Sequence, residues 1–193
     1  MRADARRNYD ALVAAARGLF LEQGCDAPLD EVAKRAGVGA GTLYRHFPSR
    51  LDLLSAVYVS DIEELCDRVE TQTQGLPPGP ALSHYMDLQL ESGMHNGGMR
   101  KAIRDMLDEG LTHPPALTAC KARMTDIAAT LLDSAKTAGA ARPEVDATSL
   151  VKLIHGINMS CETTPDLAHA MMDVVRAGVL RQPQQRESQQ QES

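Results

Sequence analysis

Apolar residues Leu12, Ala16, Leu19 and Phe20 recur at helical spacing and share one face. Asn8 is placed to cap this first helix and Gly24 to end it. A short second helix is expected from Leu29 to Ala36, with Asp30 and Glu31 in its first turn, and Gly37 breaks it. A third short helix begins near Gly39 or Ala40 and ends by Phe47 and Pro48. Ser49 then offers a cap, with Asp52 three residues on as its reciprocal partner, and a long fourth helix follows. Its buried stripe reads Leu54, Val57, Tyr58, Asp61, Ile62, Leu65 and Val69, in which Asp61 is the odd member.

The stretch "GLPPGP", Gly75 to Pro80, is the clearest linker. Beyond it Leu82, Met86, Leu90 and Met94 mark one amphipathic segment, and Met99, Ile103, Met106 and Leu107 mark another after "NGG". A longer segment carries Leu117, Cys120, Met124, Ile127 and Leu131. After "AGAARP", Leu150, Leu153, Ile154, Ile157, Asn158 and Cys161 form a stripe; after "TTP" the stripe is Leu167, Met171, Val174, Val175 and Gly178. Periodicity alone gives about nine helices and no strand, an all-α protein. The Gln/Ser-rich tail, residues 182–193, has the composition of a disordered segment.

Composition agrees. Hydrophobic residues make up 43% of the 193, aromatics only 3%, and Trp is absent, so Leu, Ala, Val, Ile and Met must build the core. No apolar run approaches the roughly 20 residues of a membrane span, and the basic N-terminus lacks the apolar stretch of a signal peptide, which points to a cytoplasmic protein. Cys25, Cys66, Cys120 and Cys161 form no CxxC pair and read as buried thiols. The net charge of −6 is unevenly spread. Residues 1–50 hold eight Lys+Arg against six Asp+Glu, a balance of +2, while the remainder is strongly acidic. Any polyanion contact therefore belongs to the N-terminal part.

Two short helices joined by a tight glycine turn are the sequence form of a helix-turn-helix. Ala33, four residues before Gly37, lets the two helices touch, and Val32, Ala36, Val38 and Leu43 fall on the inward faces. The second helix of such a pair lies in the major groove with its N-terminal end nearest the bases. This accounts for "GVGAGTLYRHFPSR", where side chains thin out before a Tyr-Arg-His cluster. At Gly39, Ala40 and Gly41 the helix backbone can approach the DNA closely. Thr42 can offer a hydroxyl or methyl to a base edge or phosphate. Tyr44, His46 and Arg50 are expected on phosphates. Arg2, Arg6 and Arg7 read either as a basic arm along the DNA or as a solvated tail.

These residues resemble the DNA-binding head of the TetR-type transcriptional regulators. Val32, Ala33, Ala36, Gly37, Val38, Gly41, Leu43, Tyr44, His46, Phe47, Leu53 and Leu54 match that pattern, and the resemblance is tight from about Leu12 to Tyr58. Pro28 stands where the family usually has a capping Thr, Gly39 where it has Ser, and Arg50 where it has Lys. Base reading then rests on Thr42 and Ala40, with Arg45 or Lys34 where they reach. The implied organisation is a helix-turn-helix head over residues 1–53 and a helical ligand-binding and dimerisation body over 54–181.

The resemblance also implies a homodimer through the last two helices, about residues 146–180, and a palindromic DNA operator. It implies repression relieved by a small effector of unknown identity, hydrophobic in character. Met86, Met94, Met106 and Met124, with the polar groups of Tyr85, Gln89, His155 and Asn158 nearby, are the expected ligand-binding residues, although plain core packing explains the methionines as well. Asn158 occupies a stripe position and needs a partner on another helix or across the dimer. No metal, no cofactor and no enzymatic activity are expected, since nucleophile, phosphate-loop and metal-ligand motifs are all missing. The alternative is a dimeric helical small-molecule-binding protein with a non-functional DNA head.

Overall fold

The computed structural model describes residues 2–108, 110, 114–161 and 163–181. Among them are nine α-helices: α1 (Arg2–Gln23), α2 (Leu29–Arg35), α3 (Ala40–His46), α4 (Arg50–Thr73), α5 (Pro78–His95), α6 (Gly97–Asp108), α7 (Pro115–Thr137), α8 (Ala147–Ser160) and α9 (Pro165–Val179). The all-α expectation holds. The tail from residue 182 onward lies outside the described residues.

Several boundaries differ from the sequence reading, each for a physical reason. Helix α1 begins at Arg2, so Asn8 is inside it and not its cap. The extra turns carry few apolar residues for periodicity to detect. They are laced by Arg7 with Asp4 and by Arg6 with Asp10 at 3.0 Å, at the three- and four-residue spacing that supports an exposed helix. The expected choice between arm and tail therefore falls away for Arg6 and Arg7, which are helical and ion-paired. At "GLPPGP" the linker is shorter than expected. Pro78 starts α5, where a proline's missing N–H costs nothing.

The chain divides into two compact units, one from Met1–Arg68 with Ser92–Met124, the other from Val69–Glu91 with Thr125–Ser193. In the first, Leu12, Ala16, Leu19 and Phe20 of α1 are buried in one core with Val32 and Ala33 of α2, Leu43 of α3, and Leu53, Leu54 and Val57 of α4. Met99 and Ile103 of α6 and Leu117 of α7 belong to it as well. Asp61, the odd member of the α4 stripe, finds Arg17 of α1 at 2.7 Å, and the same guanidinium reaches Glu64 at 2.8 Å and donates to Ser60 Oγ at 3.1 Å. Burial pushes the Asp61 carboxyl above the usual range, against the downward pull of Arg17. Polar residues thus close the seam between α1 and α4 where a periodic pattern calls for an apolar one.

In the second unit the buried residues include Leu82, Tyr85 and Met86 of α5, Ala128, Leu132 and Ala135 of α7, Leu150, Ile154 and Ile157 of α8, and Ala168, Met172 and Val179 of α9. On α7 the buried face shifts by one residue from Ile127 and Leu131 to Ala128 and Leu132. The α9 stripe shifts as well. Leu167, Met171 and Val174 face outward, at 52, 38 and 73% exposure, while Ala168 and Met172 are buried. Leu153 on α8 is also outward, at 53%. Asp146 caps α8 by accepting from the Ser149 N–H at 2.9 Å. Ala141 and Leu180 form one isolated antiparallel bridge, with the Arg142 N–H on the Val179 carbonyl at 2.9 Å.

Candidate nucleic-acid interface

The α2–α3 pair forms because Gly37 can take φ +71°, a left-handed conformation that ends α2 while letting the Val38 N–H return to the Ala33 carbonyl at 3.0 Å. The chain then enters α3 from Gly39, whose carbonyl accepts the Thr42 N–H at 2.8 Å. Neither Pro28 nor Gly39 gives its helix a side-chain cap, as their chemistry requires. Leu43, at 1% exposure, anchors α3 in the core, which turns the opposite face out.

On that outward face Gly39, Ala40, Gly41 and Arg45 are exposed, Tyr44 is exposed at 48%, and Thr42 is half-buried. A Cβ placed on Gly39 or Gly41 would meet nothing within 4 Å. The free protein therefore does not itself demand glycine at either position through crowding. His46 is half-buried in a small aromatic group: its ring lies 6.1 Å from that of Tyr9, edge to face, and 6.2 Å from that of Phe47. Tyr9 and Phe47 are closer, at 5.1 Å between centroids. Arg50 is half-buried too, with Nη1 donating to the carbonyls of Cys25 at 2.8 Å and Ala27 at 2.7 Å.

Sequence reasoning missed the residues that hold this pair in place. Tyr9 braces the end of α3 from α1. Arg35 on α2 forms a two-pronged pair with Glu22 on α1, at 2.9 and 2.7 Å, lying over Gly18, where a Cβ would come within 3.2 Å of Nη1. Those hydrogen bonds hold the Glu22 carboxyl below the usual range. Glu22 and Arg35 lie 13 residues apart, beyond any helical spacing, so nothing in the local pattern signals the pair. The Ser49–Asp52 box was legible: the Asp52 N–H donates to Ser49 Oγ at 3.2 Å and the Ser49 N–H to Asp52 Oδ2 at 2.9 Å.

The expected ligand-binding residues are divided between the units. Met94, Met106 and Met124 belong to the first; Tyr85, Met86, Gln89, His155 and Asn158 belong to the second. Within the second, Tyr85 and Met86 are fully buried, Asn158 is 4% exposed, and His155 is exposed. Asn158 donates its side-chain amide to the Gln89 carbonyl at 3.1 Å, so it has found its partner on another helix of the same chain. In the first unit a cavity of about 540 Å³ opens between the end of α1 and α6, lined among others by Phe20, Leu21, Cys25, Asp26, Met99 and Met106. Of the expected ligand residues, only Met106 touches it.

Known proteins share this arrangement. Residues 12–57 match the family described as bacterial regulatory proteins, tetR family, and residues 77–181 match the C-terminal domain described as transcriptional regulator SbtR-like. A TetR transcriptional regulator from Streptomyces coelicolor is 30% identical with a TM-score of 0.68, over 91% of this chain and 99% of that one. A TetR transcription regulatory protein from Mycobacterium vanbaalenii is also 30% identical, with a TM-score of 0.67, over 93% of this chain and 99% of that one. The HTH-type transcriptional regulator UidR of Escherichia coli is 25% identical over 162 residues, 80% of this chain and 79% of its own length. Matched in both its N-terminal and C-terminal parts, the chain belongs to the TetR family of transcriptional regulators.

Proposed function

We propose that this regulator is a repressor that holds a palindromic operator as a homodimer and leaves it when a small hydrophobic ligand binds. The open outward face of α3 carries the DNA reading: Gly39, Ala40 and Gly41 leave room for close approach, and Tyr44 and Arg45 stand exposed beside them. Thr42 addresses a base edge, with Arg45 where it reaches, while Tyr44 and His46 take phosphates along the groove walls.

The exposed apolar set of Leu153, Leu167, Met171 and Val174, on two helices that pack together, supports a second copy as the cover of α8 and α9. The ligand is placed in the second unit, where the amide of Asn158 and the carbonyl of Gln89 already face one another between α8 and α5. A ligand seated there replaces that hydrogen bond with its own. Helix α4 supplies residues to both units, so a shift of α4 carries from the ligand to the recognition helix.

Operators selected from random duplex DNA should show two inverted half-sites, bound by a dimer with steep salt dependence. A single half-site bound tightly by a monomer would overturn the reading. Apolar compounds that raise the melting temperature should then be titrated with and without operator. An inducer binds more weakly in the presence of DNA, by the same factor by which it weakens DNA binding, a coupling of about 1–3 kcal/mol. Equal affinities mean that the compound is not the inducer.

A further inference from the structure

Arg50 opens α4, and its guanidinium is turned toward the chain. Nη1 holds the carbonyls of Cys25 and Ala27 at 2.8 and 2.7 Å. Both belong to the short loop between α1 and α2, which leaves α1 through Gly24 at φ +85° and enters α2 through Pro28. Ala27 is 4% exposed, so its carbonyl has little access to water and needs a donor within the protein. Pro28 has no N–H to give and no side chain to cap α2. The N-terminal end of α2 is held by Glu31 accepting from the Gln23 amide at 3.2 Å and by the loop, which Arg50 ties down. Hydrogen bonds from a charged donor are roughly twice as strong as neutral ones, which suits a single side chain to that task.

Helix α2 packs on both α1 and α3. With the C-terminal end of α2 held by Arg35 on Glu22, a loop free to move lets its N-terminal end tilt on α1 and carries α3 with it. We propose that Arg50 is a positioning residue for DNA binding: it fixes the α1–α2 loop, and through α2 the recognition helix, in place of holding a phosphate. This rests on α3 being the helix that reads DNA. It departs from the phosphate contact expected of Arg50 on sequence, and it gives the Arg its own reason for standing where the family usually has Lys. A lysine keeps the charge but ends in a compact ammonium on a shorter reach, without the planar fork.

The two roles separate in the salt dependence of operator binding. The full chain, with Arg50→Met, Arg50→Lys and Arg45→Ala variants, is titrated with its selected operator over a range of salt concentrations. Amide hydrogen exchange is followed across residues 24–28. Arg50→Met and Arg50→Lys should each weaken binding by about tenfold or more, as expected for losing charge-assisted hydrogen bonds. Their slopes of log affinity against log salt should match the unaltered chain, and the loop amides should exchange faster. A slope shallower by about 0.9 in Arg50→Met, the loss of one phosphate contact, overturns the proposal. So does wild-type affinity in Arg50→Lys, or unchanged affinity in both variants with only a lower melting temperature. Arg45→Ala without effect on affinity or slope counts against α3 as the reading helix, and not against the clamp, which the two Arg50 variants test by themselves.

Discussion

Asn158 of α8 donates its side-chain amide to the backbone carbonyl of Gln89 on α5 at 3.1 Å, a bond between two helices. The residue is 4% exposed and stands among Leu150, Ile154 and Ile157, where an apolar side chain would otherwise fit the pattern. Asn158→Ala removes that bond and leaves unfilled space, and should lower the unfolding free energy by about 1–3 kcal/mol in urea titrations. An unchanged urea midpoint would mean that the bond contributes nothing to the fold.

Gly41 offers an unusual separation of stability from function. A methyl group added there meets nothing in the free protein, and alanine is the better helix former by about 0.5–1 kcal/mol. Gly41→Ala should therefore melt at the same temperature as the unaltered chain or higher, yet bind operator more weakly. Gly41→Leu should bind more weakly still. Equal operator affinity for all three would remove the need for close approach at this point of α3.

Val174 and Ile157 belong to neighbouring helices and should respond differently to charge. Val174 is 73% exposed, so Val174→Asp should fold normally but sediment as a monomer at micromolar concentration. Ile157 is 4% exposed, and Ile157→Lys should lose its cooperative unfolding transition altogether. A Val174→Asp protein that remains dimeric would place the interface elsewhere.

Burial pushes the Tyr58 hydroxyl above the ordinary tyrosine range, with Arg100 pulling the other way. Above about pH 10 the unfolded chain ionises this group before the folded chain does. Its contribution to stability is complete below that pH and declines as pH rises through the raised folded value. Tyr58→Phe should remove this part of the alkaline loss, so the stability difference between the two proteins should begin to change as the pH rises past about 10, the ordinary tyrosine value, and go on changing above it. A difference that stays flat there would show Tyr58 to titrate alike in both states.

The helix-turn-helix was legible because its signals are local. Gly37 and the spacing from Ala33 report a backbone turn, and Ser49 with Asp52 reports a cap. What escaped depends on distance along the chain or on what lies outside it. Nothing in the sequence near Glu22 announces Arg35, nor does Arg50 announce the Cys25 carbonyl. Apolar periodicity on α9 was real, but it has two faces: Ala168 and Met172 are buried within the chain, while Leu167 and Val174 are more than half exposed and Met171 lies at the edge, its sulfur 3.6 Å from Cys161 Sγ. A hydrophobic stripe says that something covers it, not which molecule does. The beginning of α1 escaped for the opposite reason, since exposed turns held by Arg6 and Asp10 carry no apolar signal at all.

The four thiols differ in a way that matters at the bench. Cys66, Cys120 and Cys161 are buried, and Cys25 is only half so. Burial also raises the Cys25 thiol, with Asp26 beside it, so it reacts sluggishly at neutral pH and faster as the pH is raised. The native chain thus carries its own attachment point for a maleimide fluorophore, on the loop whose carbonyls Arg50 grips. A dye there would act as a local reporter on the joint behind the recognition helix, with no cysteine added or removed.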